Sequence, residues 1–211
     1  MVSNPTQVLQ TEINRLRGEN DSLKNELFNL RNFVTALESL ISAEEKYKTN
    51  DDLLRLLSQI VQQTLDLLSA PDGSLLLRDP DTDELEFVIV HGAARSLIGQ
   101  RLKPKEGIAG WVASTGKVCM VKDVRTDPRF SSRMDDTADF KTQSIAAAPL
   151  MGNGRVLGVV EVLNKPGDAP FNDLDQALLT LLCRFAGEAL ANIEEAGRQQ
   201  ELTKPPSFDA E

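Results

Sequence analysis

From Leu9 the apolar positions fall at Leu9, Ile13, Leu16, Leu23, Leu27, Leu30, Val34, Leu37 and Ile41, with Asn20 filling the one polar place in the series. The steps alternate four and three, which is a sustained heptad. Leucine stands at every d position (Leu9, Leu16, Leu23, Leu30, Leu37), and the a positions are Ile13, Asn20, Leu27, Val34 and Ile41. That choice of residues favours a parallel two-stranded coiled coil. Asn20 is expected to set its register, because two Asn20 amides bond across an aligned pair and are buried unpaired in an offset one. The g positions Glu12, Glu19 and Glu26 meet the e positions Arg17, Lys24 and Arg31, and each pairing is opposite in sign. Such exposed pairs choose partner and orientation more than they add stability. The rival reading is one amphipathic helix lying on the rest of the chain. A stripe of two positions in seven is narrow for that role.

The heptad fades after Ile41, and Thr49 or Asn50 can cap a new helix with Asp51 and Asp52 in its first turn. We therefore divide the chain into a coiled-coil helix over 1–46, a globular domain over 47–198 and a disordered tail over 199–211 with Pro205 and Pro206. Within the domain, a helix over Asp51–Ser69 carries Leu53, Leu57 and Ile60 on one face and Leu54, Val61, Leu65 and Leu68 on another. "GSLLLRD" and "ELEFVIVHG" read as a hairpin across "PDTD". "EGIAGWVASTGK" reads as a short helix between glycines, and "KVCMVKDV" as a strand. "RTDPRFSSRMDDTADF" is irregular, with one or two helical turns. "TQSIAAAPLM" and "RVLGVVEVLNK" make a second hairpin across "GNG", and a last helix runs from about Asp173 to Gln200. The fold class is α+β: an antiparallel sheet with long helices on one face. Residues 92–142 must cover the other face, and short helices and polar loops over a sheet make a ligand pocket.

Net charge is −9, which argues against a nucleic-acid surface. No apolar run approaches the roughly 20 residues of a membrane span, and "MVSNPTQVLQ" lacks the pattern of an export signal. Cytoplasmic localisation is the expectation. Cys119 and Cys183 lack metal or redox spacing, and both read as small core residues. With His91 as the lone histidine, an ordinary zinc site is excluded, and a Ser-His-Asp triad would lack its G-x-S-x-G elbow. His91 reads as the residue that closes a strand before Gly92. The expectation is no metal, no catalytic residue and no enzyme activity.

"EVLNKPGDAPFNDLDQALL" ends a strand on Asn164-Lys165 and opens a helix with Asp175, with Phe171 between them. Lys165 can reach back to Asp175 and staple strand to helix, with Phe171 as a roof. Asn172 and Asp175 also read as a near capping box. Together with "EGIAGWVASTGKVCMVKDVRTDPRF", "FKTQSIAAAPLM" and "GRVLGVVEVLNK", this stretch resembles a GAF domain over roughly residues 51–195. It is similar to the cyclic-nucleotide-binding type of phosphodiesterases and adenylyl cyclases, whose Asn-Lys, Phe and Asp-Glu match Asn164, Lys165, Phe171 and Asp175. Gln176 stands where that family has Glu. The resemblance implies a small-molecule sensor that dimerises through its outer helices. It implies a structural clasp at Asn164, Lys165, Phe171 and Asp175, and ligand contacts at Ile108, Ala109 and Thr142. The backbone around Gly107 opens a short helix and can receive a phosphate. A second family threonine is Ala138 here, and Asp135, Asp136 and Asp139 lie beside the site. The alternative for "GIAGW" is core packing anchored by Trp111.

Two readings follow. In the first, the chain is a homodimeric, non-catalytic sensor of a small ligand, with a cyclic nucleotide as leading candidate and a separate output protein. In the second it is a ligand-free dimerisation adaptor whose pocket is filled by its own side chains.

Overall fold

The computed structural model describes residues 5–41, 50–167 and 170–202. The elements are α1 (Pro5–Ile41), α2 (Asn50–Leu68), β1 (Asp72–Arg78), β2 (Leu85–His91), β3 (Arg101–Leu102), α3 (Gly107–Thr115), β4 (Cys119–Val121), α4 (Arg133–Ala138), β5 (Ile145–Gly152), β6 (Arg155–Leu163) and α5 (Asp173–Leu202). The strands form one antiparallel sheet in the order β3-β2-β1-β6-β5-β4. The outermost strands are the shortest, two and three residues, which limits the open edge available to another chain.

Alternation along β6 explains the layering. Val160 and Val162 face α2 and α5, where they join Leu57, Ile60, Val61, Leu65, Leu75, Leu150, Leu179 and Leu182 in one core. Val159 and Leu163 face the other way, into a core made with Leu76, Phe87, Ile108, Val112, Met134 and Ile145. Successive side chains on a strand point to opposite faces, so a strand covered on both sides reads as a continuous apolar run. On β5 the middle residues are Ala146, Ala147 and Ala148, all fully buried. Such small side chains let α5 come close to the strand. The approach is tightest where Gly187 faces β5: a Cβ there would lie 2.3 Å from the Met151 carbonyl oxygen.

The expected hairpins, the short glycine-flanked helix and the helices on one face are all present. Arg101–Leu102 was not foreseen as a strand, because two residues carry no periodicity. The strand expected across "KVCMVKDV" shortens to Cys119–Val121, since Asp123 turns the chain by accepting the Arg125 N–H. On α2, Leu54 is exposed rather than buried, so the apolar face is broad but single. Helix α5 continues to Leu202, so residues 199–202 belong to it and not to a tail. Residues 203–211 lie outside the described residues, as do 46–49 of the joint expected near 46–50, whose last residue, Asn50, opens α2.

Helix α1 runs unbroken for 37 residues and contacts α2 and α5. Its Leu9, Ile13, Leu16, Leu23, Leu27 and Val34 are all exposed in the single chain, Leu9 by 63%. The carboxylates of Glu12 and Glu19 both pair with Arg15 of the same helix. These pairs use the glutamates that a partner's Arg17 and Lys24 would otherwise meet.

The clasp is formed. Lys165 Nζ donates to Asp175 Oδ2 at 2.6 Å, with side chains 17% and 9% exposed, and sits 5.8 Å from the Phe171 ring centre. Asn172 N also donates to Asp175 Oδ2 at 2.9 Å, while Asp175 N donates to Asn172 Oδ1 at 3.0 Å. Both readings of Asp175 therefore hold at once: ion-pair partner and reciprocal cap. Asn164 has a different task. With a positive φ of 56°, its Oδ1 accepts from Gln143 N at 2.7 Å and its Nδ2 donates to Lys141 O at 3.0 Å. It binds the end of β6 to the segment entering β5. Gln176 is exposed, and its own backbone N–H bonds Asn172 O, so the clasp has no need of a glutamate there.

Two stability outcomes follow. Lys165→Ala strands a largely buried carboxylate and is expected to lower unfolding free energy by about 2–3 kcal/mol in urea titration. An unchanged midpoint would show that the cap alone holds Asp175. Gly187→Val inserts a side chain against β5 and is expected to cost about 1–3 kcal/mol or more. The same titration reads it.

Candidate functional site

A cavity of about 70 Å³ lies between the sheet and the segments 94–109 and 130–142, with room for several waters or a compact organic molecule. Its walls are mostly apolar: Phe87, Leu97, Ile108, Phe130, Met134 and Phe140 are among them. The polar lining comes from both the sheet and its cover, through Asp72 and Ser74 of β1, His91 of β2, Ser131, Asp135 of α4, Thr142 and Glu161 of β6.

The cover is held by three side-chain contacts. Arg133 at the start of α4 donates to Glu106, the residue before α3, at 2.6 Å, and to Arg101 O at 2.8 Å. That bond holds the Glu106 carboxyl below its usual range. Arg129 lies 4.4 Å from the Trp111 ring centre and is itself paired with Asp127 at 2.6 Å, which ties the loop to α3. Asp135 accepts from Thr142 twice, from Oγ1 at 2.6 Å and from N at 2.8 Å.

On the sheet side, Asp72 Oδ1 accepts from Ala93 N at 2.9 Å across the turn after β2. Gly92 makes this turn at φ +92°, and a Cβ there would stand 2.1 Å from that same oxygen. His91 Nε2 lies 3.1 Å from Ser58 Oγ, so a residue of the cavity wall also touches α2. Glu161 pairs across the sheet with Ser74 on one side and Ala147 on the other. Ser74 Oγ donates to Glu161 Oε2 at 3.2 Å. Burial pushes the Glu161 carboxyl up to about 7, with the Ser74 bond opposing and the Asp135 charge adding to the rise.

The expected ligand residues are brought together: Gly107, Ile108, Ala109 and Thr142 all line the cavity. Thr142 arrives with its hydroxyl already bonded to Asp135. Of the acidic group beside the site, Asp135 enters the lining, whereas Asp136 and Asp139 are exposed. Ala138 packs against the core and is not in the lining, and Trp111 is the partner of Arg129. Cys119 and Cys183 are buried outside the cavity wall, and burial raises both thiols. His91 closes β2 as expected, and also belongs to the wall. The sequence reading passed over Glu161, Ser74 and Asp72. The signal for Glu161 was present: one carboxylate inside the buried strand "GVVEVL".

Residues 52–190 match the family model of the GAF domain. This chain belongs to the GAF family. Among curated proteins it is similar to a dual 3′,5′-cyclic-AMP and -GMP phosphodiesterase 11A of Takifugu rubripes, 37% identical over 86 residues, covering 40% of this chain and 10% of that protein. A probable 3′,5′-cyclic phosphodiesterase, pde-5, of Caenorhabditis elegans is 32% identical over 112 residues, covering 53% of this chain and 15% of that protein. The chain therefore spans 10–15% of the length of these two relatives. Among solved structures, the GAF domain of a phosphoenolpyruvate-protein phosphotransferase from Coxiella burnetii superposes with a TM-score of 0.67 at 19% identity, covering 80% of this chain and 98% of that one. A free methionine-R-sulfoxide reductase from Neisseria meningitidis, in complex with its substrate, gives 0.61 at 20% identity, covering 80% of this chain and 91% of that one. At these identities the structures establish the GAF fold, and fold alone does not assign chemistry.

The raised Glu161 carboxyl has a pH consequence. Between 4.5, the ordinary glutamate value, and about 7, the folded chain holds a proton that the unfolded chain has released. This group's contribution is therefore most favourable below that window and is lost as pH rises through it, by about 1.4 kcal/mol per pH unit at most. Glu161→Gln removes the titration. The melting-temperature difference between variant and parent is expected to grow in the variant's favour from about pH 5 to about pH 7.5. A difference that stays flat would place the Glu161 carboxyl near its ordinary value.

Proposed function

We propose that this GAF domain is a non-catalytic regulatory module that binds a small ligand in the cavity, works as a homodimer, and passes occupancy to a separate partner protein through its outer helices. The carrying observation is the cavity itself: apolar walls, a few convergent polar groups and a cover that side-chain bonds latch over its own apolar core. The dimer rests on the heptad stripe of α1, whose Leu9, Leu16, Leu23 and Leu27 are left open in the single chain. A non-catalytic role is supported by the placement of both cysteines away from the cavity and by the Ser74 hydroxyl bonding Glu161.

A second reading makes the ligand a cyclic nucleotide. It is favoured by the activities for which the phosphodiesterase relatives are named and by the lining role of Gly107, Ile108, Ala109 and Thr142. Thermal-shift titration with cyclic AMP and cyclic GMP tests it, since a ligand at 100 times its dissociation constant adds about 2.7 kcal/mol to the native state. Ala109→Trp, which fills the cavity, is expected to remove that shift.

Native mass spectrometry of the freshly purified full chain reads both parts of the main proposal. A dimer carrying a retained small molecule is the expected result, and deletion of residues 1–45 is expected to yield monomer at micromolar concentration. A full-length monomer ends the homodimer reading. An empty cavity that no small molecule of any charge stabilises ends the sensor reading in favour of the ligand-free adaptor.

A further inference from the structure

The cavity has a sign. Among the described residues its lining includes the carboxylates of Asp72, Asp135 and Glu161, and no lysine or arginine. The first two hold up the fold, through Ala93 N and through Thr142. Glu161 is different. It is 8% exposed, on a central strand, and its one hydrogen-bond donor among the described residues is the Ser74 hydroxyl, which reaches Oε2. Oε1 receives no hydrogen bond from the described residues. A buried carboxylate without full hydrogen bonding is costly, and an apolar residue of similar size would suit that place in the fold better. Oε1 is not sealed off in the core but opens on the cavity, where a bound molecule can reach it.

The sign of that molecule follows from the charges that face it. Asp72 looks in from β1 and Asp135 from α4, while the His91 ring in the wall is engaged with Ser58 of α2. The N-terminus of α3 contributes the equivalent of about half a positive charge. That is too little to make an anion welcome beside these carboxylates. The carboxylates do not converge as metal ligands do: no group of three or more His, Cys, Asp or Glu among the described residues is placed to hold a metal ion. The rings of Phe87, Phe130 and Phe140 lie in the same wall, and aromatic faces attract organic cations.

Building on the reading that this cavity holds a small ligand, we propose that the ligand is an amphipathic organic cation, with an ammonium or amidinium head on Glu161 and an apolar body among Phe87, Phe130 and Phe140. Ser74 then positions Glu161 by fixing Oε2, which leaves Oε1 for the ligand.

The test is calorimetric titration of the full chain at about pH 8, where Glu161 is ionised. Benzylamine and benzamidine serve as cations, benzyl alcohol as the neutral isostere, benzoate as the anion, and cyclic AMP and cyclic GMP as phosphate-bearing ligands. At least one of the two cations is expected to bind about tenfold or more tighter than benzyl alcohol, the range of a charge-assisted hydrogen bond, with benzoate silent. Glu161→Gln, shown to be folded by its melting curve, is expected to lose about tenfold in cation affinity and to leave benzyl alcohol unchanged. In the parent, cation affinity is expected to fall by up to about tenfold per pH unit below pH 7, as Glu161 takes up its proton. Binding of benzoate or a cyclic nucleotide as tight as that of the cations overturns the cation assignment while keeping the ligand-binding reading, and the parent protein alone suffices for this comparison. If none of the probes binds, the cation assignment falls. The native mass spectrum then decides whether the ligand-binding reading falls with it.

Discussion

The structure depends on one constraint, the burial of β6 on both faces. Val160 and Val162 are needed by the helical layer, and Val159 by the layer beneath α3 and α4. A strand in that position has no solvent side on which to place a polar residue. A carboxylate at 161 is therefore committed to one buried face or the other, and alternation sends it to the face that has a cavity. Ser74 and Ala147 flank it because register makes them its cross-strand neighbours. The site's chemistry is thus a consequence of strand register and not of a flexible loop.

The cover over the cavity is made differently from the sheet below it. Helix α4 has six residues and one buried side chain, Met134. Its position comes from Arg133 on Glu106, Asp135 on Thr142 and the Arg129–Trp111 stack on the preceding loop. Few buried apolar contacts and several polar ones describe a segment of low local stability relative to the core strands. Opposite it, α5 is seated by Gly187 against Met151 and by the alanines of β5. The lightly held part of the domain is therefore α4 and its loop, while α3 and α5 are seated by buried side chains.

Much of this was legible in residue patterns. The two hairpins, the short helix between Gly107 and Gly116 and the clasp could all be read because each has a local signature: turn residues, flanking glycines, or an Asn-Lys with an acid at a helix start. Lys165 and Asp175 meet as read, and Asn172 caps at the same time. The interior of the site was less legible. Asp72 and Ser74 lie on one strand, far from Glu161 in the chain, and come beside it only through strand pairing, so no spacing announces the group. Leu54 looked like core because leucine at that position extends an apolar face, but burial was decided by where β1 and α5 lie. The heptad of α1 is plain in the sequence, and in the single chain its residues from Leu9 to Leu27, with Val34, face outward.

Family membership and cavity chemistry answer separate questions here. Matching the GAF model over 52–190 explains why Gly107, Ile108, Ala109 and Thr142 meet at one wall, since the fold brings those positions together whatever the ligand. What the wall attracts is set by the remaining side chains, and those differ from chain to chain. Thr142 illustrates the difference. At the position expected to hydrogen-bond a ligand, its hydroxyl is instead engaged by Asp135 at 2.6 Å, which stabilises the cover. A ligand seeking that hydroxyl must compete with a charged acceptor already in place. Glu161, by contrast, has an oxygen that no described residue engages. In a mostly apolar wall the group with unmet hydrogen-bonding capacity governs selectivity, because its desolvation is relieved only by a ligand of the matching kind. In this chain that group is an acid on an inner strand of the sheet, buried on both faces.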